Sequence, residues 1–297
     1  MESRNIIVRR ATIRDAGIIA QAVAIAIGDQ KALKDYCGED YMTTLSHIVR
    51  AKNTQYSWQQ ALIAEVDGVT AGAVVGYDGA RLHALREGTF TVLRNIIGRT
   101  PSITDETEAG EYYLDSIAVL PQFRGQGVGS RLIETFCKMA FCDGHAHVGL
   151  IVDSINTKAE RLYSSLGFKR VGTRQFFGHT MWHLQRTTDL DIHQRVELST
   201  HITPFQRKVY IELLNTAEGE TITYGELARR IGCRSAQAIG QALKRNPFAP
   251  DVPCHRVIAS NGTIGGYNGK RDGEAIERKR TLLEAEKRIK KIDHTQI

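Results

Sequence analysis

The chain has no run of eighteen apolar residues; its nearest approach, Ala16 to Ile27, is too short to cross a bilayer and reads as an amphipathic helix. No membrane partner is therefore expected. The opening Met1-Glu2-Ser3-Arg4 lacks the basic-then-apolar layout of a signal peptide. Cysteine is scarce: five among 297 residues, namely Cys37, Cys137, Cys142, Cys233 and Cys254, with no CxxC pair. An odd, scattered set argues against a disulfide framework or a cysteine-rich zinc site, so the expectation is reduced thiols, a cytoplasmic location and no metal. Internal repeats and low-complexity segments are also missing. Hydrophobic content of 42% beside 24% charged residues excludes a disordered or fibrous chain. The length predicts two domains, each able to bury its own core.

The charge is unevenly placed. Of 39 Lys+Arg and 33 Asp+Glu, residues 201–297 hold 17 and 11, so the whole excess of +6 lies in the last third. That asymmetry suggests a polyanionic partner for the second part, most simply nucleic acid, and none for the first.

Alternation predicts a strand over Asn5 to Ala11, and Thr12 with Asp15 resembles a capping box ahead of a helix reaching Ile27. Asp67-Gly68 between two alternating runs is a hairpin signal. Residues 79–110 read as a long irregular insertion holding at most one helix. A strand over Tyr112 to Leu120, a Gly-rich turn and a helix from Val128 follow. A strand from His147, a helix from Thr157 and strands near Phe168 to Thr173 and His179 to Gln185 close the half. This order means an α/β or α+β layer fold. Thr187 to Thr203 is polar and aperiodic, with room for a short helix. The expected domains are 1–187 and 204–297, joined by a 188–203 linker. Beyond it, Phe205 to Asn215, Tyr224 to Ile231 and Ser235 to Arg245 read as helices, the last two as a helix-turn-helix.

Two constellations carry chemistry. In Gln122-Phe-Arg-Gly-Gln-Gly-Val-Gly-Ser130, Gly125, Gly127 and Gly129 permit close backbone approach, and the following helix adds its positive end, making an anion site for a diphosphate. With YYLDSIAV before it and LIVDSINTKAERLYSSLGFKRVG after it, the segment resembles the GNAT acetyltransferase superfamily over roughly residues 4–186. The resemblance implies a mixed sheet splayed around acetyl-CoA and direct attack of an amine on the thioester. It implies cofactor contacts from Arg124, Gly125, Gly127, Gly129, Ser130 and Asn156, with Tyr163 as general acid. Glu111 or Asp115, on the strand before the cradle, would be the general base. The amine itself is unreadable.

The second constellation is Pro253-Cys254-His255-Arg256-Val257. A thiol attacks carbon as thiolate, so it needs a base and positive charge nearby, which His255 and Arg256 offer. Together with TPFQRKVY, GETITYGELA, SAQAIGQALKRNP, SNGTIGGYNG and LLEAE, the motif resembles the C-terminal domain of O6-alkylguanine-DNA alkyltransferases, a mainly α, winged helix-turn-helix-like domain. The resemblance implies double-stranded DNA bearing O6-alkylguanine as partner and a base flipped into a pocket. Cys254 would be the irreversible alkyl acceptor, His255 a water-mediated base and Glu286 its orienter. Asn246 would brace the turn after the recognition helix, and Tyr224 would meet the base at N3. Leu243, Tyr267 and Asn268 would wall the pocket, with Gln237, Arg234 and Arg256 among the DNA contacts. No cofactor is implied there.

Three features depart from that family. Gln237 stands where its intercalating arginine is expected, extra residues lie within Lys270 to Glu277, and the usual N-terminal companion domain is replaced. Arg229 and Arg230 suit either phosphate contact or solvated surface, and Lys287 to Lys291 reads as a solvated helix end. Cys137 and Cys233 read as packing residues. The expected protein is a monomer repairing alkylated DNA and acetylating an unknown amine; the alternative is a damage-binding regulator without turnover.

Overall fold

The structure, a computed structural model, describes residues 5–293, with side chains through residue 288. The readings of Met1 to Arg4, and of the side chains at 289–291, lie outside the described residues. The chain divides into two compact units, one reaching Phe141 and adding His145–Thr188, the other comprising Cys142–Gly144 and the chain from Asp189. No described helix is long and apolar enough to cross a membrane.

The first unit begins with β1 (Ile6–Arg10), after which Thr12 and Asp15 form the expected capping box on a short 3-10 turn leading into α1 (Ala16–Ile27). α2 (Gln30–Cys37) and α3 (Tyr41–Arg50) follow, then β2 (Ala61–Val66) and β3 (Val69–Asp78). Asp67 and Gly68, with φ of 51° and 82°, make the tight turn whose twist suits a two-residue hairpin. Next come α4 (Leu82–Ile97), β4 (Tyr112–Val119), α5 (Val128–Cys142), β5 (His147–Asp153), α6 (Thr157–Ser165), β6 (Lys169–Phe176) and β7 (His179–Thr187). The seven strands lie in the order β1-β2-β3-β4-β5-β7-β6, antiparallel except for β4 with β5. Ile19, Val23, Leu45, Ile48 and Ile63 are fully buried in the core where α1 covers the sheet and α3 packs on α1.

The one helix allowed for within 79–110 is present, but the stretch is less irregular than expected. The segment is dominated by the sixteen-residue helix α4, whose inward face includes Leu82, Leu85 and Leu93 but also Arg86 and Thr89. Those two buried polar residues interrupt the apolar period that would have marked the helix.

In the second unit, α7 (Ile192–Leu198) falls within the polar 188–203 stretch. It is capped by Asp191 and Gln194, and its Val196 is buried in that unit's core. α8 (Pro204–Leu214), β8 (Ile222–Thr223), α9 (Tyr224–Arg230), α10 (Ala236–Lys244), β9 (Val257–Ile258) and α11 (Glu274–Asp293) follow. β8 and β9 pair in parallel. Val209, Leu213, Leu227, Ile239, Phe248 and Val257 form the core, and the Tyr210 hydroxyl donates to the Ala242 carbonyl (2.8 Å), tying α8 to the end of α10. The unit is thus helical, with α9 and α10 as the helix pair.

Candidate functional site

In the second unit, a cleft of about 980 Å³ is lined by Tyr224, Gln237, Leu243, Cys254, Tyr267 and Asn268, among others. Cys254 opens a 3-10 turn just before β9 and is 5% exposed. The turn is held by Asn246, whose Nδ2 donates to the Val252 carbonyl (3.2 Å) while its Oδ1 accepts from the Phe248 amide (2.9 Å). Burial pushes the thiol up; hydrogen bonding from Asn246 and Tyr267 and the charge of Lys279 act the other way without cancelling it. The resting sulphur is therefore a thiol, and ionisation needs a base.

His255 supplies the candidate. Its Nε2 lies 2.7 Å from Glu286 Oε1. Glu286 also accepts from Arg256 Nε (3.0 Å) and Nη2 (2.8 Å) and from the Gly219 amide (3.0 Å). Burial alone would raise this carboxyl, but the bonds from Arg256, His255 and Gly219 prevail and hold it at about 2. An ionised carboxylate can only accept, so the proton of a neutral imidazole sits on Nε2 and the lone pair on Nδ1. Among the described residues Nδ1 is buried without a hydrogen-bond partner.

Lys279, which the sequence reading passed over, is wholly buried; its Nζ donates to the carbonyls of Val257 (2.6 Å), Ile264 (2.6 Å) and Gly266 (3.0 Å). Burial lowers the ammonium to about 8. Its three carbonyls knit β9 to the segment forming the cleft's outer wall, where Tyr224 Oη also donates to Gly266 O (3.2 Å).

In the first unit, β4 pairs with β5 only through Tyr112↔Val148 and Tyr113↔Gly149, and the two strands carry no further ladder beyond that point. Against β3 the register steps from Gly76↔Leu114 to Val75↔Ser116, leaving Asp115 as the extra residue of a bulge. Asp115 therefore sits where the sheet opens. Its Oδ2 lies 3.0 Å from the Tyr77 hydroxyl and its Oδ1 accepts from Ser116 Oγ (2.8 Å). Burial, with the nearby Glu106 charge, raises it to about 7.

The Gly-rich turn leads into α5. Gly125 and Gly127 have φ of +74° and +82°, and a Cβ on either would meet nothing within 4 Å. The open side of this turn and the first amides of α5, which no preceding turn can satisfy, fit an anionic diphosphate. Arg124 is fixed beside it by Nε donating to the Val119 carbonyl (3.0 Å).

The family model for GNAT acetyltransferases matches residues 31–168. A solved structure described as an acetyltransferase is matched over 100% of its length and 62% of this chain, at 31% identity with a TM-score of 0.54. The chain belongs to the GNAT acetyltransferase family. An N-acetyltransferase from Staphylococcus aureus, 23% identical with a TM-score of 0.55 over 60% of this chain and 99% of its own, shares the GNAT fold. The model for the DNA-binding domain of 6-O-methylguanine DNA methyltransferase matches residues 204–288, so the GNAT unit is followed by a second known domain. Methylated-DNA--protein-cysteine methyltransferases resemble that part. The one from Mycobacterium tuberculosis is 48% identical over 93 residues, 31% of this chain and 53% of its own. The one from Thermococcus sibiricus is 55% identical over 85 residues, 28% of this chain and 45% of its own. The chain thus spans about half the length of the methyltransferases it matches.

One anticipated residue of the GNAT unit, Glu111, stands differently from expectation, and the surroundings of the others can be described. Glu111 does not suit a base: it is 1% exposed, and its carboxylate meets Thr107 Oγ1 (2.6 Å), His183 Nε2 (2.8 Å) and Gln185 Nε2 (2.7 Å). Burial would raise it, yet these partners keep it below the usual range. It reaches across β5 to β7, over Gly149, where any Cβ would come within 1.8 Å of its Oε2. Asn156 caps α6 through Oδ1 accepting from the Ala159 amide (3.1 Å), so a helix end already employs that oxygen. Tyr163 packs edge-on against Phe168 and burial pushes its hydroxyl up to about 12. Gly129 and Ser130 belong to the first turn of α5.

In the methyltransferase-like unit, Arg256 is corrected from a DNA contact to an internal brace, because its guanidinium is bound to Glu286 and to the Thr216 carbonyl (2.6 Å). Arg230 pairs with Glu226 (2.9 Å) and Glu212 (3.5 Å). Arg234 is exposed in the turn before α10.

Proposed function

We propose that the second unit moves an alkyl group from O6-alkylguanine in double-stranded DNA onto Cys254, and that the first acetylates an amine. The observation that supports the first reading is the buried thiol on a cleft wall, followed by an imidazole whose Nδ1 is its basic nitrogen. His255 Nδ1 takes the thiol proton through a water, and Glu286 stabilises the imidazolium that forms. Sγ then forms a bond to the alkyl carbon as the carbon–O6 bond breaks. The electron pair leaves on the purine, and a proton reaches the purine ring from Tyr224 at N3. One alkyl group ends on one cysteine, so each molecule acts once. Gln237, Leu243, Tyr267 and Asn268 line the space for the base, and exposed Arg234 meets the phosphates.

For the first unit, bound acetyl-CoA would supply an acetyl group activated as a thioester. The turn through Arg124, Gly125, Gly127, Gly129 and Ser130 would hold its pyrophosphate, with Asn156 as a further cofactor contact. Asp115, poised near neutrality, takes the proton of the acceptor amine. Tyr163, kept protonated, is the proton donor.

Intact-mass measurement after mixing with O6-methylguanine DNA tests the first reading: one added methyl, mapped to Cys254, is expected. DNA binding without mass gain would favour a damage-binding protein instead. Titration with acetyl-CoA, wild type against Gly127→Trp, tests the second; a wild type that does not bind ends it.

A further inference from the structure

The acceptor of the acetyl group leaves a chemical trace in the GNAT unit. Around Asp115 lies a buried polar cluster that the anion cradle does not explain. The Tyr77 hydroxyl is within hydrogen-bond distance of Glu106 Oε1 (2.9 Å), Asp115 Oδ2 (3.0 Å) and Gln55 Nε2 (3.1 Å). Gln55 Nε2 also donates to Glu106 Oε1 (2.7 Å). Arg86 pairs with Glu106 on its other oxygen. Glu106 is thereby partnered by a cation and the Gln55 amide, and shares the single Tyr77 hydroxyl proton with Asp115. Asp115 is not so partnered: among the described residues its hydrogen-bond partners are two hydroxyls, and no cation forms an ion pair with it.

Two polar atoms of the cluster are also poorly satisfied. Gln55 Oε1 and the Tyr36 hydroxyl sit on residues only 2% exposed; the amide oxygen has no partner among the described residues, and the hydroxyl has only a loose contact with Tyr56. The amide cannot be turned round to cure this, because its carbonyl would then face the Glu106 carboxylate. A carboxylate without an ion pair calls for a cation, and the orphan carbonyl oxygen and poorly satisfied hydroxyl call for hydrogen-bond donors; an ammonium supplies both. The walls fit the same ligand. Tyr36, Tyr56, Tyr77 and Tyr113 are all buried here, and the rings of Tyr77 and Tyr113 stand 5.8 Å apart. Aromatic faces attract cations.

We propose that Asp115, Gln55 and Tyr36 form the acceptor subsite of the GNAT unit and bind the primary ammonium of a small-molecule amine that carries no carboxylate beside it. The inference rests on the acetyltransfer reading only for the word acceptor; the cation site stands on the cluster alone. Loss of one proton to Asp115 leaves the neutral amine with its lone pair. A carboxylate on the neighbouring carbon would bring a second negative charge without an ion pair beside Asp115, so α-amino acids are disfavoured.

A matched pair of probes tests this. In calorimetric titrations without acetyl-CoA, 2-phenylethylamine or 1,4-diaminobutane should bind at least tenfold more tightly than phenylalanine, and 2-phenylethanol should not bind. Asp115→Asn should weaken amine binding at least tenfold, and Tyr36→Phe several-fold, with acetyl-CoA affinity within twofold of wild type in both. Failure of both amines, equal binding of phenylalanine, or unchanged amine affinity in Asp115→Asn overturns the proposal. Amine binding by a protein that ignores acetyl-CoA would instead uphold the cation site and sink the acetyltransfer reading.

Discussion

Replacing Glu286 with Gln is the sharpest probe of the relay behind Cys254, because the shape is kept and only the charge is lost. The carboxyl sits at about 2 against an ordinary 4.5, a difference worth about 3 kcal/mol of folding stability. The folded value is the lower one, so this stability is fully present above the ordinary carboxylate range and disappears as pH falls toward 2. Glu286→Gln should therefore lower the stability of the second unit by about 2–3 kcal/mol at pH 7 and flatten its dependence between pH 5 and pH 2. Both tryptophans, Trp58 and Trp182, belong to the first unit and would report on the wrong half. Urea denaturation should be followed instead by hydrogen exchange of the peptide spanning α8. Chemistry should suffer too: a Gln amide can donate to His255 Nε2, moving the imidazole proton to Nδ1 and removing the base. Alkyl transfer to Cys254 should slow on the order of a hundredfold. A variant with wild-type stability at pH 7 and an unchanged rate of methyl uptake would refute the account of Glu286 as charged orienter.

Other outcomes follow from the same geometry. Cys254→Ala should abolish alkyl uptake by mass while leaving DNA affinity within several-fold, since phosphate contacts dominate affinity; continued uptake would place the nucleophile elsewhere. Gly149→Ala should destabilise the first unit by at least about 2 kcal/mol, because the new methyl meets a carboxylate that His183, Gln185 and Thr107 hold in place. An unshifted tryptophan-fluorescence midpoint would contradict that. Asp115→Asn should stabilise the first unit by about 2–4 kcal/mol at pH 8 and not at pH 3. The folded carboxyl titrates near 7, above its unfolded value, so ionising it costs stability as pH rises. A loss of stability at pH 8 would overturn that reading of its burial.

Much of the second site was legible because a compact motif holds its chemistry. Tyr224, Gln237, Leu243, Cys254, Tyr267 and Asn268 were named from sequence and meet in one cleft. What escaped was whatever depends on where a long side chain turns. Arg256 follows the nucleophile and looks like a DNA contact, yet it folds inward to Glu286 thirty residues on. Lys279 lies in the charged run Glu277-Arg-Lys-Arg280, and nothing in that pattern distinguishes the one lysine whose ammonium is sealed among carbonyls. In the first unit the cradle was readable from its glycines. The cluster of Gln55, Tyr77, Glu106 and Asp115 was not, since it assembles from four separate segments and from the bulge that re-aims Asp115.

The two units also show why a buried acid–imidazole pair does not by itself mark a reaction centre. Glu111 meets His183 Nε2 at 2.8 Å, and Glu286 meets His255 Nε2 at 2.7 Å. In both, burial is overcome by hydrogen bonds and the carboxylate stays ionised. The difference lies in what surrounds the pair. Glu111 spends its oxygens on Thr107, His183 and Gln185 and fills the space left by Gly149, so it pins the edge of β4 to β7. His255 instead has a buried Nδ1 with no hydrogen-bond partner among the described residues and a thiol on the preceding residue, at the wall of a cleft large enough for a purine. The open nitrogen and the neighbouring nucleophile separate the two. The same test applied to the acids of the first unit discards Glu111 and selects Asp115, which forms no ion pair among the described residues and stands where the sheet parts.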